Sequence, residues 1–109
     1  MLSMSAGIHS ACLFINRTTD PKHYQVGFQN DRVRDLRIHY GPHDKSVMHM
    51  HPASVAVFLT HGETKFTLPD GKTSVSSGKA GQVQWSDKQR HLPEDPWGKP
   101  FELILVELR

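Results

Sequence analysis

VMHMHP, residues 47–52, and the run ASVAVFLTHG that continues it to residue 62, decide how this chain reads. Successive side chains of an extended strand point to opposite faces, so His49 and His51 share one face, roughly 6.5–7 Å apart along the chain. Two imidazoles at that spacing can converge on one cation, because a metal–nitrogen bond is about 2.0–2.1 Å long. Met48 and Met50 then face the other way, and Pro52 ends the pairing just beyond the second histidine. Residues 55–60 (Val, Ala, Val, Phe, Leu, Thr) read as a fully buried strand, and residues 64–68 return through a turn at 61–63.

The same punctuation extends in both directions. Upstream, apolar runs at residues 11–15, 23–28 and 32–40 are separated by a polar turn carrying Asp20-Pro21 and closed by Gly41-Pro42. Downstream, Pro69-Asp70-Gly71 is a hairpin signal, because Pro presets φ and Gly accepts a positive one. Strands at 46–51, 72–75, 82–86 and 101–108 complete the set. No window sustains a helical period beyond two turns. Nine or ten short strands at this spacing predict an all-β jelly-roll barrel, whose closure protects the sheet edges.

The whole chain has 109 residues, which fits one domain: residues 1–10 loosely held, residues 11–109 folded. Thirteen Lys and Arg against eleven Asp and Glu leave a net charge of +2, too balanced for nucleic-acid binding. A lone cysteine, Cys12, excludes an internal disulfide and reads as an inert buried thiol in the cytoplasm. No apolar run approaches a membrane span. Both faces of residues 55–59 and 103–108 are apolar, which predicts a homodimer.

Eight histidines are the compositional outlier. A metal site needs a third ligand beside His49 and His51, and His91 supplies it, following strand 82–86 across the polar loop 87–90. Gln84 is the polar side chain within that strand that can add to the site, provided Val83 and Trp85 do not take the interior instead. Glu94 and Asp95 come just after His91 and can either add a further ligand or orient the second nitrogen of the His91 ring. His43 and His61 read as solvated turn residues, and His9, His23 and His39 as ordinary strand or tail residues. Trp85 and Phe58 read as core, and Asp31, Arg32 and Arg34 as a wet face.

These residues resemble the cupin superfamily, the RmlC-like jelly rolls built as a double-stranded β-helix. Gly41, His49, His51 and Gly62 stand at positions of the first cupin motif, and Gly81, His91 and Asp95 at positions of the second. Three departures are visible. Val55 falls where the motif carries a glutamate ligand. Asp87 and Gln89 stand near the places of the second motif's Pro and Gly, in a loop one residue shorter. Gly41 lies two residues further from His49 than the pattern has it.

The resemblance implies a barrel holding a divalent metal, Zn, Fe, Ni or Mn, on three histidines, without the usual glutamate at position 55. Such a centre keeps open positions for water or for a small polar or anionic metabolite. Within cupins, three-histidine iron sites look like those of certain thiol and ring-cleaving dioxygenases. The alternative is a barrel that binds or senses a metabolite without turnover.

Overall fold

The computed structural model describes residues 19–109. The expected strand at 11–15, Cys12, His9 and the segment 1–10 lie outside the described residues. Nine strands follow: β1 (Tyr24–Gln29), β2 (Val33–Tyr40), β3 (His49–His51), β4 (Ser54–Phe58), β5 (Gly62–Thr67), β6 (Thr73–Gly78), β7 (Val83–Ser86), β8 (Gln89–Glu94) and β9 (Phe101–Leu108). Among the described residues there is no helix, hence none long and apolar enough to cross a membrane.

The strands form two antiparallel sheets, one in the order β1-β2-β9-β4-β7 and the other in the order β3-β8-β5-β6. Strict alternation along β2 and β9 fixes the larger sheet. Leu36, Ile38 and Tyr40 lie opposite Leu105, Leu103 and Phe101, so one face presents a continuous apolar surface. These six side chains are buried and pack with Tyr24 and Phe58 into the core between the sheets. A one-residue slip would turn the whole set to solvent, which is why the pattern specifies the register so strongly. Residues 69–71 make the expected turn between β5 and β6, with Gly71 at φ 90° and its N–H donating to the Leu68 carbonyl at 2.9 Å.

Two elements differ from expectation. The strand expected over 46–51 is paired only at His49–His51. Residues 89–94, expected to begin as a loop, form strand β8 at the centre of the smaller sheet. Pro93 and the charges of that stretch mask its alternation, yet Gln89, His91 and Pro93 line the interior while Arg90, Leu92 and Glu94 take the alternate positions. Pro93 lacks an N–H and serves as an acceptor, taking a bond from the Ser46 N–H at 3.0 Å.

Candidate metal centre

β3 and β8 pair so that His49 stands directly opposite His91, and His51 opposite Gln89. The third histidine therefore joins the pair as a cross-strand neighbour in the same sheet. All three rings are buried, with centroids 4.8 Å (His49–His51), 5.1 Å (His49–His91) and 5.4 Å (His51–His91) apart. One nitrogen of each lies within 4.8 Å of the other two. Nitrogens around a tetrahedral ion sit roughly 3.3 Å apart, so the rings close on an ion by moving about an ångström.

Each ring is oriented by a different acceptor. His49 Nδ1 donates to the Val47 carbonyl at 2.7 Å. His51 Nδ1 donates to Glu107 Oε2 at 2.6 Å. His91 Nδ1 donates to the Gln89 side-chain oxygen at 2.6 Å. A nitrogen that donates to a carbonyl or carboxylate carries the proton, which leaves the Nε2 lone pair of each ring for coordination. The Tyr24 hydroxyl is 3.3 Å from His49 Nε2 and bonded to the Tyr40 hydroxyl at 2.7 Å. Burial, then the neighbouring His51, pushes His49 from 6.5 down to about 3. Burial, then His51 and His49, does the same to His91, also to about 3. Both rings are therefore neutral at physiological pH, the state a metal requires.

Glu107 is the partner that sequence reasoning missed. It lies on β9 opposite Arg34 and Ser54, is 1% exposed, and accepts from Arg34 Nε at 2.8 Å while holding His51. A carboxylate thus stands one hydrogen bond from the ligand set, linking the two sheets. The signal for it was the inward row Phe101, Leu103, Leu105, Glu107, in which a charge continues an apolar alternation. Arg34, read as part of a wet face, is largely covered, its side chain 14% exposed in this ion pair.

The other expected site residues fall as follows. Val55 alternates with Ser54, Ala56 and Phe58, which line the interior, so the side chain at the usual glutamate place points away from the histidines. Gln84 lines the interior and donates to the Ser77 carbonyl at 3.2 Å, whereas Val83 and Trp85 are exposed at 61% and 57%, so Trp85 is not core. Phe58 is core. Glu94 occupies the alternate side of β8 from His91. Asp95 is buried, its Oδ1 accepting from the Trp97 N–H at 2.8 Å and its Oδ2 without a hydrogen-bond partner. His23, read as an ordinary strand residue, is buried between Asp20 (2.8 Å) and Asp44 (3.2 Å) and stacked on Tyr40.

Beside the histidines a cavity of about 310 Å³ opens between the sheets, reached by Tyr24, His51, Gln89 and His91. Its volume is at the low end of small-molecule sites.

No family model matches the chain, and no curated protein matches it. Solved structures do. A cupin domain from Bordetella pertussis Tohama I superimposes with a TM-score of 0.72 at 22% identity, over 79% of this chain and 91% of that one. An RmlC-like cupin family protein with a double-stranded β-helix fold from Methanocaldococcus jannaschii gives 0.61 at 14% identity, over 86% and 85%. An uncharacterised protein with a double-stranded β-helix domain from Klebsiella pneumoniae gives 0.60 at 17%, over 98% and 90%. Described from its own residues and matched by these structures, the chain is folded as a small cupin, an all-β double-stranded β-helix with three histidines clustered inside it.

Proposed function

We propose that the chain binds one divalent metal ion through His49, His51 and His91, and that the ion anchors a small molecule in the adjoining cavity. The observation that carries this reading is the triple anchoring of Nδ1, which turns the Nε2 atoms of three buried rings into the free donors. In a neutral histidine with a purely structural role the second nitrogen finds a protein donor; of the three Nε2 atoms here, that of His49 has the Tyr24 hydroxyl at 3.3 Å. When bound, the ion supplies Lewis acidity toward an oxygen of water or ligand. Imidazole donors serve Zn, Fe, Ni and Mn, so the metal is chosen by supply and geometry.

A second reading, ligand binding without turnover, has its own support. No Asp, Glu, Lys or Arg lines the cavity, so Tyr24, Tyr40, His51 and His91 are the titratable groups there. Oxygen uptake or product formation separates this from an enzyme.

The test is elemental analysis of the purified chain beside the His49→Ala/His51→Ala double variant. The expected result is near-stoichiometric metal in the parent and at least a tenfold loss in the variant. Equal, negligible metal in both removes the metal from the function.

A further inference from the structure

The cavity wall is electrically neutral on every side the metal does not occupy. The larger sheet contributes the apolar Ile38, Ala56, Phe58, Leu103 and Leu105, with Tyr24, Tyr40, Ser54 and Ser86 as its uncharged polar side chains. The smaller sheet contributes Phe66, stacked on His91 at 4.6 Å, and the hydroxyls of Thr64, Ser74 and Ser76. Gln84, on β7 at the end of one sheet, reaches the Ser77 carbonyl of β6 at the end of the other, so an amide closes the gap between them. None of the lining side chains is a lysine, arginine, aspartate or glutamate.

Such a wall selects by what it leaves uncompensated. One negative charge on a ligand is met by the metal. A second charge would leave water for hydroxyls and hydrocarbon, with no counter-charge to offset its lost hydration. An apolar body, by contrast, gains with every part of its surface that the wall covers. The volume, about 310 Å³, holds a single ring or a branched chain and not much more.

Building on the metal reading above, we propose that the ligand carries one anionic oxygen for the metal on an uncharged apolar body of about one ring. Monocarboxylates and phenols have this chemistry, whereas dicarboxylates and phosphates do not. The inference goes beyond metal binding, because the same three histidines in a cationic barrel would favour polyanions.

The experiment uses the full chain loaded with Co(II), whose visible spectrum reports ligand arrival. Cobalt content is measured in every sample. Benzoate, acetate, succinate and inorganic phosphate are titrated in turn. Benzoate is expected to bind at least tenfold more tightly than acetate, with succinate and phosphate weaker than benzoate. Ala56→Leu and, on the opposite wall, Ser76→Leu each fill part of the cavity and should cut the benzoate advantage to less than threefold. Equal binding of benzoate and acetate overturns the proposal, as does tighter binding of succinate or phosphate. An advantage for benzoate that survives both substitutions overturns it too. Failure to hold cobalt is read independently from the metal content and overturns the metal reading, taking this inference with it.

Discussion

Glu107 shows how much one side chain can be asked to do. Its carboxylate accepts from Arg34 through one oxygen and from His51 Nδ1 through the other, with the side chain 2% exposed. Both neighbours are donors, so an amide in its place must turn its NH₂ toward one of them. Glu107→Gln therefore loses one good bond and leaves the Arg34 charge without this carboxylate in a place water barely reaches. Breaking one side of such a buried pair costs about 3 kcal/mol. Loosening the His51 ring lowers metal affinity by roughly 10–100-fold. Urea unfolding of the metal-free protein measures the first effect, and competition against a zinc chelator the second. A variant with parental stability and zinc affinity would show that the Glu107 contact orients nothing.

At the scale of elements, the decisive fact is which strands lie side by side. His49 and His51 were legible because their relation is local: two residues apart on a strand means one face. His91 was legible as a candidate, but its true relation to His49 is a register position between β3 and β8, and register is not written in either segment alone. Glu107 was illegible for the same reason, since it acquires its role from strands far away in sequence. Gln89, by contrast, stands two residues from His91 on one strand and was hidden because residues 87–90 read as a loop. Gly62 carries a comparable message. A Cβ built there would sit 2.7 Å from the Cβ of Phe101, an atom fixed to the backbone of β9. The motif glycine is thus a place where β5 passes close against β9 of the other sheet, and a methyl group has nowhere to go. Gly62→Ala is expected to destabilise by about 1–3 kcal/mol, the usual range for overpacking. Because Phe101 also lines the cavity, the same substitution disturbs the ligand wall. The denaturant midpoint measures it, and an unchanged midpoint would mean that β5 and β9 separate freely.

For the whole molecule, the outer face of the larger sheet remains to be accounted for. Register places Val57 between Ile104 and Val83, and Val55 between Val106 and Trp85, so six apolar side chains form two adjacent rows. Val83 and Trp85 at the end strand are 61% and 57% exposed, and Phe28 near the opposite edge is 56% exposed. No charged side chain interrupts the six. β2 borders them with Asp35 and Arg37, opposite Val106 and Ile104, so the flank carries one charge of each sign. A two-fold axis brings such a flank against its own copy with acid facing base, and the apolar rows against each other. Contiguous apolar surface of this kind marks an interaction site, and the self-matching flank favours a second copy of the chain. The expected mass in solution is that of a dimer, measured by light scattering on a size-exclusion column. Val57→Lys, in the middle of the patch and pointing away from the cavity, should halve that mass while metal content stays at the parental level. A parent that runs as a monomer at every concentration, or a Val57→Lys variant that stays dimeric, would move the interface elsewhere.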